Sequence, residues 1–299
     1  MSAAVARCRN PVTVGLDPRW EQLPAVLTSG GGSASDRAVR AEIYATFCRE
    51  ILDVVHPLVP AVKPQMAFFE QLGPPGMTAL ANVIAYAHER DLLVILDGKR
   101  GDIGSTAEAY ADAYLGANSP WQADALTVNP YLGDDSLEPF VTTARQRAAG
   151  LFVLVKTSNP GGATFQDLVA DNRKLFRHVA EHVEHWAAQS ADETGYGAVG
   201  AVTGATYVEE LGELRQAMPH SWLLVPGYGS QGATAKDVAA AFDSNGQGAV
   251  VNNSRGIIFA HARREYAGRF APDQWQRAVE AATREMIDQL RAETNVGRL

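Results

Sequence analysis

Two cysteines, Cys8 and Cys48, are all that the 299 residues contain, too few for a disulfide framework or a thiolate zinc site. No apolar run approaches the roughly 20 residues a membrane span needs, and residues 1–11 hold no apolar stretch of signal-peptide length. Basic tracts are also missing. With 26 Lys+Arg against 34 Asp+Glu the formal net charge is −8, which argues against binding nucleic acid or anionic lipid. No internal repeat or second domain is visible, and residues 30–35, Gly-Gly-Gly-Ser-Ala-Ser, read as a surface loop rather than a linker. These absences predict a reduced cytoplasmic protein without nucleic-acid or membrane partners. An anionic small substrate stays open, provided a few cations converge in one cleft.

What is present is alternation. Short apolar, β-branched runs predict strands at residues 12–17, 58–63, 92–97, 123–128, 151–155, 198–203, 221–225 and 248–252. Between them, amphipathic stretches predict helices at 36–56, 75–90, 105–116, 136–149, 165–189, 207–218 and 234–242, and a last helix at 272–293 closes the chain. Eight β-α units imply a parallel sheet. In under three hundred residues they fit an α/β fold of the (β/α)8 TIM-barrel type better than an open doubly wound sheet. The expected organisation is a single domain over residues 1–299, with a short N-terminal extension and a C-terminal helix.

In such a barrel chemistry sits at the carboxyl ends of the strands. Those positions carry Asp17, Lys63, Asp97, Lys99, Ser158, Gln231 and Arg255. Charges at the ends of apolar strands are costly to bury unless paired, so opposite charges converging there are informative. Asp97 and Lys99 lie two apart after an apolar run, which on an extended strand aims both at one face. Lys63, on the neighbouring strand, would complete a row of cation, anion, cation. A lysine flanked by carboxylates keeps its proton and can act as an acid; without them a buried lysine would instead suit Schiff-base chemistry. Asp102 follows in a glycine-containing loop, where periodicity cannot aim it. The bland alternative is a structural ion pair plugging the barrel mouth.

Gly227, Gly229 and Gly232 form Gly-x-Gly-x-x-Gly between a strand and a helix. A dinucleotide fingerprint belongs at the first βα turn with an acid about 20 residues on; here it follows the seventh strand and that acid is missing. Exposed N–H groups can still cradle a phosphate. Loops after strands seven and eight are the usual barrel phosphate site, and Gln231 with Arg255 suit it. His178, His182 and His185 share a helix face, but on an outer helix remote from the mouth, so a metal role is not assigned.

The segment Asp97-Gly98-Lys99-Arg100-Gly101-Asp102-Ile103-Gly104-Ser105-Thr106 resembles the Asp-x-Lys-x-x-Asp-Ile-x-x-Thr signature of the orotidine 5'-phosphate decarboxylase family, and the long helices with the loop at residues 156–161 resemble its longer bacterial form. Further blocks match in order: Val14-Gly15-Leu16-Asp17, Val62-Lys63-Pro64, Lys156-Thr157-Ser158-Asn159-Pro160-Gly161, Gly229-Ser230-Gln231-Gly232 and Asn253-Ser254-Arg255-Gly256. The resemblance implies conversion of orotidine 5'-phosphate to UMP and CO2 without a cofactor or metal. It implies a charged network of Lys63, Asp97, Lys99 and Asp102, with Lys99 as proton donor. By the same resemblance Asp17 and Lys63 would hold the ribose, with Asp102 and Thr106 assisting across a subunit interface; Ser158 would meet the pyrimidine; Gln231 and Arg255 would grip the phosphate. A homodimer is implied, with Asp102 and Ile103 reaching the neighbouring subunit's site. Part of residues 158–165 or 228–234 would serve as a lid. Residues 30–35 are an insertion without an assigned role.

Three other functions compete, one of them a Schiff-base aldolase using Lys63 or Lys99. A metal-dependent sugar-phosphate decarboxylase or aldolase of the same barrel superfamily shares Asp-x-Lys-x-x-Asp but would use its carboxylates as Mg2+ ligands. A non-catalytic phosphate-ligand binding barrel would bind nucleotide and release no CO2.

Overall fold

The apolar runs form strands, and the strands close on themselves. The computed structural model describes residues 1–29, 35–229 and 232–299. The strands are β1 (Val12–Leu16), β2 (Ala61–Pro64), β3 (Leu93–Arg100), β4 (Ala125–Val128), β5 (Gly150–Lys156), β6 (Val169–Ala170), β7 (Arg173–Lys174), β8 (Val199–Thr203), β9 (Leu223–Val225) and β10 (Ala249–Asn253). Among the described residues, eight of them form a closed parallel barrel in the order β1-β10-β9-β8-β5-β4-β3-β2, and β6 and β7 form a separate antiparallel hairpin. Helices Arg37–Val55, Pro74–His88, Gly104–Leu115, Asp134–Gln146, Leu175–Gln189, Val208–Ala217, Ala235–Val238 and Trp275–Glu293 connect and surround the barrel strands. This is the predicted (β/α)8 barrel. None of the helices is long and apolar enough to cross a membrane, among the described residues.

Local chemistry sets the helix boundaries. Asp36 caps Arg37–Val55 by accepting from the amides of Ala38 and Val39, and Thr234 with Asp237 forms a capping box on Ala235–Val238. On Arg37–Val55 the residues Ala41, Tyr44, Cys48, Ile51, Leu52 and Val55 are buried at helical spacing. That helix meets the last one through Phe47 and Trp275, whose rings stack at 5.3 Å. Removing so large a buried aromatic as Trp275 costs about 3–5 kcal/mol.

Alternation along the strands divides the apolar residues into two bodies. One lies between sheet and helices. The other fills the barrel and includes Ala61, Ile95, Ala125, Phe152, Val202, Trp222, Leu224 and Val250. Val5 joins this inner group from Ser2–Cys8, a short helix in the segment where no element was expected.

Three departures from the sequence reading have physical causes. The helix expected over 165–189 begins only at Leu175, because Asp171 and Asn172 adopt left-handed backbone (φ 49° and 61°) in the turn joining β6 to β7. Asp and Asn tolerate that conformation, and right-handed strand twist favours such turns. The strand expected at 58–63 starts at Ala61, since Leu58 and Val59 still close the preceding helix by donating to the Val55 carbonyl. The strand expected at 92–97 runs on to Arg100 through an irregularity described next.

Candidate active site

β3 carries its apolar residues to Leu96 and then places Asp97 at the carboxyl mouth of the barrel. An isolated bridge from Gln65 to Asp97 extends the pairing of β2 with β3 past Pro64. Beyond Asp97 the ladder with β4 slips: Leu96 pairs with Leu126, but the next partner is Arg100 with Val128. Lys99 sits in this bulge with φ +47°, a conformation costing a non-glycine residue roughly 1–2 kcal/mol. Simple strand alternation therefore does not aim Lys99. The bulge does, and it still returns the Lys99 side chain to Asp97.

Asp97, only 6% exposed, accepts four hydrogen bonds. Lys63 Nζ (2.5 Å) and Gln65 Nε2 (3.0 Å) donate to Oδ2; Lys99 Nζ (2.5 Å) and Thr127 Oγ1 (3.0 Å) donate to Oδ1. Burial by itself would raise the Asp97 pKa, but the charges of Lys63 and then Lys99, with their hydrogen bonds, hold it far below the usual carboxylate range. Burial likewise works against the Lys63 ammonium, and Asp97, then Asp17, outweigh it, leaving the Lys63 pKa above its ordinary value. Both groups stay charged at neutral pH. The cation–anion–cation row expected of Lys63, Asp97 and Lys99 is formed. Its two cations differ: the Lys63 side chain is buried, whereas that of Lys99 is 45% exposed and faces the opening.

These three residues line a cavity of about 180 Å³ together with Thr127, Leu154, Thr157, Ser158, Asn159, Val202, Leu224 and Pro226. The residues just before Ser158 are braced by a loop. The Thr157 amide donates to Gln166 Oε1 (3.0 Å), Gln166 Nε2 donates to Thr157 Oγ1 (2.8 Å), and buried Lys156 pairs with Asp167 at 2.5 Å. Gly204 permits this arrangement, since a Cβ there would lie 2.7 Å from the Ser158 backbone. A larger cavity, about 630 Å³, opens at the amino end of the barrel near Asp124, Asp192 and Trp222. It contains neither of the paired lysines, so the smaller one is the better candidate for chemistry.

Other expected residues lie around this mouth. Asp17 follows β1, and its Oδ1 is buried with no hydrogen-bond partner among the described residues. Asp102 is turned to its own neighbour, accepting from the Ile103 amide at 2.8 Å. Ile103 is 57% exposed, and Thr106 is exposed on the first turn of Gly104–Leu115. None of Asp102, Ile103 and Thr106 lines the cavity of their own chain. Arg255 opens a single helical turn, Arg255–Ile258, directly after β10. The loop after β9 approaches the same place: a Cβ on Gly229 would lie 3.3 Å from Asn253 Nδ2. Gln231, the expected second phosphate ligand, lies outside the described residues, as do residues 30–34 of the expected insertion.

The sequence reading missed Gln65, Thr127 and Gln166. For Thr127 a signal existed, since it is the one polar residue in an otherwise apolar strand. Gln65 lies two residues beyond Lys63, the spacing that carries a side chain to the same face. Gln166 carried no signal, because its role depends on the fold of a loop. The three histidines do share a helix face, but each has its own company: His178 the Ala170 carbonyl, His182 Asp134 at 3.3 Å, His185 the Gln189 amide. Among the described residues, no group of three or more His, Cys, Asp or Glu side chains is arranged to hold a metal ion.

An eight-stranded α/β barrel with a buried carboxylate clasped by two ammonium groups at its carboxyl mouth defines a class of barrel built for charged small-molecule chemistry. Comparison with known proteins narrows it. The chain belongs to the Orotidine 5'-phosphate decarboxylase / HUMPS family, whose profile matches residues 10–270. It is 57% identical over 295 residues to an orotidine 5'-phosphate decarboxylase of Rhodopirellula baltica, covering 97% of each chain. It is 46% identical over 226 residues to that of Caldicellulosiruptor saccharolyticus, covering 73% of this chain and 74% of the relative. Among solved structures, Leishmania donovani OMP decarboxylase superposes with a TM-score of 0.75 at 32% identity, covering 98% of this chain and 96% of the other.

Proposed function

We propose that the protein is a carboxy-lyase that converts orotidine 5'-phosphate to UMP and CO2, the decarboxylation step of UMP synthesis, acting in the cytoplasm. The observation that carries this reading is the Lys63–Asp97–Lys99 row at the cavity, within a chain of this family. Breaking the bond from C6 to the carboxylate leaves an electron pair in the ring plane, where the π system cannot absorb it. A preorganised field must stabilise it instead. Lys99, paired with Asp97 at 2.5 Å and lining the cavity, is positioned to stabilise the developing carbanion and to pass its ammonium proton to C6, leaving UMP, CO2 and a neutral amine that solvent reprotonates. Asp97 would face the departing carboxylate. Lys63, buried and firmly charged, maintains Asp97 as an anion. The chemistry calls for no cofactor.

Around the ring, Asp17 and Lys63 would hold the ribose hydroxyls with help from a neighbouring chain's Asp102 and Thr106, and Ser158 would bond the pyrimidine. Arg255, with Gln231, would hold the phosphate, whose binding energy can stabilise the closed site although it never reacts. Ile103 is exposed and neither it nor Asp102 lines its own chain's cavity, which suits a homodimer in which each chain lends both residues to its neighbour's site.

Loss of orotidine 5'-phosphate absorbance, followed with purified, EDTA-treated protein, tests the reading. Full turnover is expected. Activity that vanishes with EDTA and returns with Mg2+ would favour the metal-dependent barrel chemistry, and nucleotide binding without CO2 release would favour a binding protein.

A further inference from the structure

We infer that Thr127 is a positioning residue for Lys99, a role that rests on the decarboxylase reading above. Thr127 lies on β4, is 1% exposed, and borders the cavity. Its Oγ1 accepts the Lys99 backbone amide at 2.9 Å and donates to Asp97 Oδ1 at 3.0 Å. A hydroxyl has one proton. With a lone pair committed to the amide, that proton is directed at the carboxylate. Asp97 Oδ1 also takes the Lys99 ammonium, at 2.5 Å. The result is a closed ring that begins and ends on Lys99: amide, hydroxyl, carboxylate, ammonium.

The ring does two things. It ties down the bulge that keeps Lys99 at φ +47°, fixing where the ammonium reaches from. It also leaves Asp97 Oδ1 with a donor once Lys99 has given its proton to carbon. At that moment the charged partner on this oxygen is gone, and the hydroxyl of Thr127 remains. Gln65 serves Oδ2 but makes no bond to Lys99. Packing alone does not explain a threonine here. The rest of β4 is Ala125, Leu126 and Val128, valine would fill the same space, and burying a hydroxyl is unfavourable unless its bonds are used.

Two pairs of side chains that differ by the hydroxyl test the role: threonine against valine, and serine against alanine. Thr127→Val and Thr127→Ala are expected to lower kcat about 10- to 100-fold, the scale of one hydrogen bond to a charged group. KM and UMP affinity should stay within about 3-fold, because the lost bond acts on proton delivery rather than on ground-state binding. Thr127→Ser should keep kcat within about 3-fold of the parent. If valine does not fold, as judged by thermal unfolding, the serine–alanine pair decides. A Thr127→Val enzyme within about 2-fold of the parent in kcat, or a serine variant as impaired as alanine, would overturn the role; so would KM and UMP affinity worsening in step with kcat. A parent protein with no turnover of orotidine 5'-phosphate would instead overturn the decarboxylase reading, and this role with it.

Discussion

Replacing Asp97 by asparagine removes one charge and changes little else in shape. In the folded protein that charge is buried between Lys63 and Lys99, each at 2.5 Å. The substitution strands Lys63, itself 5% exposed, and turns an amide N–H toward an ammonium. Removing one partner of a buried pair costs about 3–5 kcal/mol, and Asp17, which also supports the Lys63 charge, places the loss toward the lower end. For 299 residues the unfolding entropy is roughly 0.6 kcal/mol per kelvin, from about 2.1 cal/mol/K per residue. The midpoint should therefore fall by about 5–6 °C at pH 7. The pH dependence carries a sign. The folded-state pKa of Asp97 is depressed below its ordinary 3.8, so its contribution is present above that value and lost as pH falls through the folded pKa. The gap between parent and Asp97→Asn should be constant from about pH 5 to 8 and narrow below about pH 4. Pairing the change with Lys63→Met should recover part of the loss in a double-mutant cycle. Differential scanning calorimetry across pH reads all of this. A midpoint within about 1 °C of the parent at pH 7, with no narrowing in acid, would refute the claim that this charge holds Lys63 in place.

Lys99→Ala should lower turnover by about 10⁴-fold or more while leaving the fold intact, as loss of both a general acid and a preorganised cation requires; near-parental rates would remove Lys99 as the proton donor. Mixing inactive Lys99→Ala with inactive Asp102→Ala protein, after dissociation and reassociation, should restore about a quarter of the sites if each dimer site takes one residue from each chain. No recovery, with hybrid dimers present, would mean that Asp102 serves its own chain. Arg255→Ala should lower kcat/KM for orotidine 5'-phosphate far more than for orotidine, so the preference for the phosphorylated substrate should shrink; equal losses on both would move the phosphate grip elsewhere.

The barrel was legible because strand and helix periods alternate eight times, and burial enforces both periods. Lys63, Asp97 and Lys99 were legible because charged residues closing apolar strands are rare without a purpose. How Lys99 meets Asp97 was not legible, since the bulge and the left-handed Lys99 backbone arise from a register slip against β4. A two-residue spacing gave the correct partners for an incomplete reason. The β6–β7 hairpin was hidden because the amphipathic period continues across Asp171 and Asn172, and only their tolerance of left-handed backbone marks the break. Gln166 escaped because its bonds to Thr157 depend on a loop returning over nine residues. Asp102 could not be aimed by periodicity, and since it does not line its own chain's cavity its role is a question of assembly.

The apolar filling of the barrel doubles as a partition. Ile95, Phe152 and Trp222 border the wide opening at the amino end, while Leu154, Val202 and Leu224 border the charged cavity above. These apolar side chains lie between the cavity at the amino end and the one lined by the ion row. A breach there, by shortening Phe152 for instance, would let water in beneath Asp97 and dim the field by dielectric leakage alone. Such a variant would leave every charged group in place and is expected to turn over more slowly, which would add positions far from any substrate atom to those that set the rate.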